Sequence, residues 1–391
     1  MPRTNAKARR SITARVTARV TARVTARVTV RATTRVALAA ALALAACDAD
    51  TGPDATQPDA PITIDASRDD GSTSGALPAG WLYTSGNQIL VSDGANGGTR
   101  WIGRGVNIDD QNFCGGAFRV SNPGQALVDM TTDLMATWKP SFIRLSLSMN
   151  SYTPTTDWSG AYRTSVLDAV RAAGSAGAYV LLVIRSHAGM ELHCGGTNDA
   201  TCMPNTPTSM DAVYKALVDD FKDDKHVLFA ITNEPGGADS TAMRGEIRAV
   251  MEHAAQVIRS EEDALGVPHH LIAVQGTQWS SILSWWDAAP LATDGVVYEY
   301  HAYPPEPSGT YGYTQQNIPV IIGEYGPGGG GEQWAAFHAD VEAKSIPNLA
   351  WDYSPLSNCA PDLLVVGNSV TNTTTTAWGA IVKQYLLAHA P

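Results

Sequence analysis

From Ile102 onward, apolar runs of strand length alternate with longer segments of helical periodicity, and this alternation leaves few folds open. The spacing predicts strands at Ile102–Ile108, Phe142–Ser148, Tyr179–Ser186, Val227–Thr232, Leu271–Gly276, Val296–Tyr303, Val320–Glu324 and Leu349–Tyr353. Between and after them it predicts helices at Gly124–Trp138, Ala161–Ala173, Met210–Phe221, Thr241–Leu265, Ser281–Trp286, Glu332–Ala343 and Thr375–Ala388. Eight strands, nearly all followed by a helix, fit an α/β fold of the (β/α)8 TIM-barrel type. An open doubly wound sheet is the competitor. It would bring a glycine-rich phosphate turn after its first strand, and Gly103-Arg104-Gly105-Val106-Asn107-Ile108 lacks the third glycine of that motif. Upstream, Trp81-Leu82-Tyr83, Gln88–Val91 and Thr99–Ile102 are strand-like pieces separated by Gly/Asn/Asp turns, so a short N-terminal β-hairpin is expected to close the barrel's bottom.

The N-terminus has a different texture. Residues 1–35 are arginine-rich and repeat TARV at 13–16, 17–20, 21–24 and 25–28. Two readings stand: an overlong first region of a signal sequence, or an over-extended start site. Val36 to Ala46 is an apolar run of 11 residues, too short to span a bilayer and suited to a signal peptide. It ends at Leu44-Ala45-Ala46-Cys47, which resembles the lipobox of bacterial lipoproteins, in which the cysteine carries the lipid. Asp48 to about Ala79 is rich in Asp, Pro, Ser, Thr and Gly and buries too little to fold. The expected organisation is therefore a signal sequence over 1–46, a tether over 47–79 and a (β/α)8 domain over 80–391. The product would be exported and lipid-anchored at the bacterial cell envelope or surface, with Asp48 a hint toward the inner membrane.

Ten of the 27 basic residues lie in the first 46 positions, where no acid occurs; the remainder carries 17 basic against 38 acidic residues, a net charge of −21. So acidic a body argues against nucleic acid as partner and suits a neutral ligand. Ten tryptophans against six phenylalanines lean toward sugar rings, for which indole faces are good platforms.

Two strands end in carboxylates. Val227–Gly236 reads VLFAITNEPG and closes on Asn233, Glu234 and Pro235; about 90 residues later Ile318–Gly326 reads IPVIIGEYG and closes on Glu324. Carboxylates at the C-terminal ends of barrel strands are where this architecture places chemistry, and a pair of them is the minimum equipment for glycoside hydrolysis. Arg144, inside FIRLS, is a candidate to keep one of them ionised. His301 and Tyr303 share a strand face by alternation; Glu299 shares it one layer deeper and is a rival carboxylate. The acid partner must begin protonated, which apolar surroundings and a negative neighbour favour.

The Asn233-Glu234-Pro235 strand ending, with these further positions in order, resembles glycoside hydrolase family 5, a cellulase-type family of retaining (β/α)8 glycosidases; the resemblance covers about residues 81–390. It implies that Glu234 is the general acid/base and Glu324 the nucleophile. It further implies that Arg144 supports the nucleophile and Tyr303 hydrogen-bonds it, that His301 sets the protonation of the pair, and that Asn233 binds the sugar 2-hydroxyl. His187 would line the subsite of the cleaved sugar and Trp351 would be its aromatic floor; Trp279 is a candidate second platform. Two positions depart from the family pattern: Arg185-Ser186-His187 stands where Asp-x-His is usual, and Ala230 where an acidic or amide residue is usual. The implied activity is endo-acting cleavage of a β-1,4-glucan. β-Mannan is the alternative substrate, and a surface carbohydrate-binding protein without activity is the alternative of another class. No cofactor and no metal centre is expected, and the chain is expected to act as a monomer. Cys194 and Cys202 flank one short loop and are expected to pair. Cys114 and Cys359 follow the first and last barrel strands, which are neighbours in a closed barrel, and form the second expected bridge.

Overall fold

The structure is a computed structural model and describes residues 76–109, 123–148, 158–186, 192–194, 202–204, 210–303, 317–328, 333–355, 360–367, 369–370 and 374–390. Three short strands, β1 (Leu82–Ser85), β2 (Gln88–Ser92) and β3 (Gly98–Arg100), come first and form an antiparallel meander. The expected hairpin thus has a third strand, because Gly98–Arg100 pairs back onto β2. The barrel alternation follows: β4 (Arg104–Asp109), α1 (Pro123–Thr137), β5 (Phe142–Ser148), α2 (Gly160–Ser175) and β6 (Tyr179–Ser186). A small antiparallel pair, β7 (Leu192–Cys194) and β8 (Cys202–Pro204), interrupts it; neither strand was expected from the pattern. The chain continues through α3 (Asp211–Phe221), β9 (Val227–Ala230), α4 (Thr241–Leu265), β10 (Ile272–Gln275), α5 (Thr277–Ser280), α6 (Ser284–Ala288), β11 (Val296–Ala302), β12 (Val320–Tyr325), α7 (Trp334–Ala343), β13 (Asn348–Ala350) and α8 (Ala377–Ala388).

Strands β4, β5, β6, β9, β10, β11, β12 and β13 close in chain order into a parallel barrel, with β13 returning to β4. Alternation along each strand sorts the side chains. Leu181, Val183, Leu228, Ala230, Ala273, Val297, Ile321 and Leu349 face inward and pack together, and Leu82, Ile89 and Trp101 of the meander complete that cluster. Trp101 stacks edge-on against Phe142 at 4.9 Å and Tyr179 Oη donates to the Gly80 carbonyl at 2.7 Å. Phe142 and Tyr179 begin their strands, so the meander plugs the bottom and leaves the opposite mouth for chemistry.

The helices cover the outside for local reasons. In α4, Ile247, Val250, Met251, Ala254, Ala255 and Ile258 recur at three- and four-residue spacing and are the buried face. Ser240 caps its start by accepting from the Met243 amide, and Gly266 ends it in the left-handed conformation, φ 66°. The short helix expected at Ser281–Trp286 begins three residues later, as α6, and a separate turn, α5, precedes it. Gln278 and Trp279 in α5 carry left-handed φ values of 49° and 53°, which no regular helix accommodates. Gly105 on β4 admits no side chain, since a Cβ would lie 1.5 Å from the Phe142 carbonyl oxygen of the neighbouring strand.

Candidate active site

Arg144 is the hub of the mouth. It points inward from β5, is fully buried, and meets four partners. Nη1 donates to Asn107 Oδ1 at 2.9 Å and to Glu324 Oε1 at 2.9 Å; Nη2 donates to Asn233 Oδ1 at 2.7 Å; Nε pairs with Glu299 Oε1 at 2.7 Å. The rigid guanidinium fork therefore ties β4, β5, β11, β12 and the end of β9 together. Asn107, its register partner on β4, is itself held, with Nδ2 donating to the Gly323 carbonyl at 2.9 Å.

Glu234 lies four residues past β9. Its φ is +45°, a strained conformation for a non-glycine residue, and its amide donates to the side-chain oxygen of Gln275 on β10. Glu324 reaches the same place by a different device. Ile321 faces the barrel interior, so plain alternation would turn Gly323 inward and Glu324 out toward the helices. The register with β11 jumps instead: Tyr300 pairs with Ile322, and the next pair is His301 with Glu324. Gly323 is the extra residue of this bulge, and the bulge turns Glu324 into the mouth beside His301. Gly323 must be glycine, because a Cβ would stand 1.9 Å from Glu299 Oε1. The result is that ligand atoms of Glu234, His301 and Glu324 all lie within 4.8 Å of one another.

His301 connects the acids. Its Nδ1 is 2.9 Å from Glu234 Oε1 and 3.7 Å from Glu324 Oε2, and its Nε2 is 3.1 Å from Glu299 Oε1. Burial alone would lower the imidazole, but Glu324, Glu234 and Glu299 together outweigh it and push it up to about 9. Glu299 is the reverse case: burial raises it, and Arg144 and His301 bring it down to about 2. Being fully buried and ion-paired on two sides, Glu299 is the anchor of the cluster rather than a rival to Glu234 and Glu324.

One expectation is corrected here. Glu234 was expected to be held protonated by its surroundings. Burial does push it up, but the hydrogen bond and charge of His301, then Arg185 and Arg144, hold it below the ordinary carboxylate range. In the free site the proton resides on His301. An imidazolium and a guanidinium also oppose a cation among these carboxylates, whose spacing would otherwise suit one.

The remaining expected residues divide. Tyr303 Oη donates to Glu324 Oε2 at 2.9 Å. Trp279 is 41% exposed, and its amide donates at 3.0 Å to the carbonyl of Gly236, two residues beyond Glu234, so it stands at the rim. Trp351 is only 5% exposed, with the Arg185 guanidinium 5.4 Å from its ring centroid, so the expected floor is partly covered by the residue that departs from the family pattern. His187, Cys47, Cys114 and Cys359 lie outside the described residues. Cys194 and Cys202 are opposite each other in the β7–β8 register. Asn107 and Gln275 were missed; both sit on inward strand positions, and the inward parity that singles out Arg144 and Glu299 would have found them.

The profile of the family described as Cellulase (glycosyl hydrolase family 5) matches residues 106–357. Endoglucanase A of Butyrivibrio fibrisolvens is 27% identical over 225 residues, which is 52% of this chain and 45% of that protein, so the match spans about half the length of that relative. Among solved structures, the catalytic domain of Thermobifida fusca endoglucanase Cel5A superposes with a TM-score of 0.57 at 18% identity, covering 79% of this chain and 97% of that one. The β-glucanase SdGluc5_26A from Saccharophagus degradans, solved in complex with cellotetraose, superposes with a TM-score of 0.60 at 19% identity, covering 81% and 95%. At such identities the two superpositions establish the barrel fold, while the profile covers well over half of the chain and establishes descent. The chain belongs to glycosyl hydrolase family 5, the cellulase family.

Proposed function

We propose that the protein is a retaining, endo-acting glycoside hydrolase that cleaves β-1,4-glucan by double displacement. The observation that carries this reading is that one carboxylate oxygen of Glu234 lies within 4.8 Å of one of Glu324 across the mouth. Retaining enzymes need their carboxyls about 5–5.5 Å apart, whereas inverting ones leave about 6.5–9.5 Å for a water. Glu324 is the nucleophile: Arg144 and Tyr303 hold one oxygen each, which fixes the carboxylate plane for attack on the anomeric carbon. Glu234 is the acid/base. As the glycosyl–Glu324 bond forms and the glycosidic bond breaks, Glu234 delivers a proton to the leaving oxygen. It then takes a proton from the water that attacks the glycosyl–enzyme, and Glu324 leaves as carboxylate. The proton for the first step comes from His301 Nδ1, 2.9 Å from Glu234 Oε1. A sugar that displaces water and separates the pair from solvent favours the neutral acid over two ions.

Arg144 can only donate, so it assigns Asn233 Oδ1 as its acceptor and leaves Nδ2 free to donate to a sugar 2-hydroxyl. Trp279 is read as a platform for a sugar beyond the cleaved bond, held rigid by three consecutive left-handed residues, Gln278, Trp279 and Ser280. The test is to follow the anomeric configuration of fresh product by NMR, on carboxymethyl-cellulose, lichenan, β-mannan, xylan and laminarin. Retention on the glucans is expected, with Trp279→Ala raising KM on long chains. First-formed product of inverted configuration would sink the mechanism, and preference for mannan would replace the substrate.

We further propose export and lipid anchoring at Cys47, with residues 47–79 as tether, and a Cys194–Cys202 bridge. The run Val36–Ala46 before Cys47 supports the first. The facing register supports the second, since directly opposed antiparallel residues have Cα atoms about 4.5–5.5 Å apart, within disulfide range. The Cys114–Cys359 bridge remains a proposal on sequence alone. Peptide mass mapping of protein from membranes is expected to find acylated Cys47 as the first residue and Cys194 linked to Cys202. An unmodified peptide running through Cys47, or free thiols, would refute the respective proposal.

A further inference from the structure

Asp352 has no place in this chemistry, yet the amide of Trp351 before it donates to the carbonyl of Tyr325, the residue after Glu324, at 2.9 Å. It follows Trp351 just past β13 and is fully buried. Among the described residues neither of its carboxylate oxygens has a hydrogen-bond partner. Its backbone is pinned: the Leu363 amide donates to its carbonyl at 3.0 Å, and the Tyr353 amide donates to the Asn107 carbonyl at 2.7 Å. These bonds set it between the segment carrying Asp362 and the end of β4 carrying Asp109. The charged groups that act on it are Asp109 from β4, Asp362 from that segment and Glu324 from β12, opposed by Arg185 from β6; Tyr303, just past β11, feels it in turn.

A carboxylate without a donor, among three other acids, cannot be left ionised in a buried place at reasonable cost. It can be neutralised by a cation or by a proton. A cation needs ligand atoms that converge, and among the described residues the three aspartates do not form such a group; the one convergent group is Glu234, His301 and Glu324. A proton needs only the carboxyl itself, and burial followed by Asp109, Asp362 and Glu324 raises Asp352 well above the ordinary aspartate value.

We propose that Asp352 is a positioning residue that works as a neutral carboxylic acid, keeping a second negative charge away from the Glu324–Tyr303 pair. Loss of its proton places that charge beside the nucleophile and adds a second ionisation to the alkaline side of activity, which loss of the His301 proton also limits. The role in catalysis rests on the glycosidase reading; the protonation state does not.

Two measurements separate these. The first is thermal and urea unfolding of the full chain against pH, comparing wild type with Asp352→Asn. The folded wild type holds a proton that the unfolded chain releases above the ordinary aspartate value. Wild-type stability is therefore lost as pH rises toward the folded value, and Asn does not titrate. The unfolding constant of wild type relative to Asp352→Asn is expected to rise by up to about tenfold per pH unit from about pH 5 upward. A ratio independent of pH would overturn the neutral acid. Asp352→Ala, whatever its baseline stability, must show the same pH dependence relative to wild type, which guards against a folding defect in one variant. The second is the pH profile of kcat/KM, each enzyme scaled to its own maximum. The alkaline limb of wild type is expected to fall more steeply than a single ionisation, with Asp352 and His301 both losing protons, and that of Asp352→Asn to follow the single ionisation of His301. Limbs of equal steepness would overturn the positioning role even if the unfolding series succeeds, and a wild type inactive on every glycan would count against the glycosidase reading while leaving the unfolding result in force.

Discussion

Glu324→Gln is expected to lower kcat on a β-1,4-glucan by on the order of 10⁴-fold or more, with little change in KM. The amide keeps the shape of the carboxylate and can still accept from Arg144 or Tyr303, so the site should stay assembled. On the proposed mechanism it loses the anionic oxygen that bonds to the anomeric carbon, and among the described residues no other carboxylate is placed to replace it. Glu299, on the neighbouring strand, has one oxygen committed to both Arg144 and His301 and is fully buried. Glu234→Gln is expected to be nearly as damaging on polysaccharide but to respond differently to leaving group. An aryl glycoside whose phenol leaves without a proton should restore its first step and let glycosyl–enzyme accumulate, whereas Glu324→Gln should stay inactive on it. Assays with both substrates and both variants check the assignment. Sugar release by Glu324→Gln at the wild-type rate would refute the nucleophile, and a reversed leaving-group response would exchange the two roles.

Arg144→Met is expected to abolish activity and to destabilise the fold by about 3–5 kcal/mol, the cost of leaving one member of a buried ion pair behind. Met approximates the stem of arginine, so the loss is chiefly electrostatic. Glu299 would lose its guanidinium partner, and Asn107, Asn233 and Glu324 would each lose a donor. The same logic makes the double variant informative. In Arg144→Met/Glu299→Gln the stranded charge is gone, so urea melts should recover a large part of the stability while activity stays lost. Wild-type melting and activity in Arg144→Met would remove the hub from the account. Equal destabilisation in single and double variants would show that packing, not charge, is what Arg144 provides.

Much of this molecule is legible in its sequence. Phe142–Ser148, Tyr179–Ser186 and Thr241–Leu265 coincide with the elements expected there, because the information is local: runs of inward and outward residues at period two, a buried stripe at three and four, a serine cap and a glycine stop. Arg144 and Glu299 were legible for a related reason, as charges at inward positions of apolar strands. The short turns after β10 were less so: the left-handed backbone at Gln278 and Trp279 has no local signature and is held by bonds to Gly236 and Glu299, far away in the chain.

The order of strands and helices, and the two glutamates at strand ends, follow from the sequence by itself, since burial periodicity is carried by neighbours along the chain. That Glu324 turns inward at all was decided only in three dimensions, by a bulge at Gly323 that plain alternation does not foresee. So were the raised imidazole of His301 and the lowered carboxyl of Glu234. Glu299 and Glu324 act on the first, Arg185 and Arg144 on the second, from four different strands, and electrostatic energy is a sum over distances that no linear spacing contains.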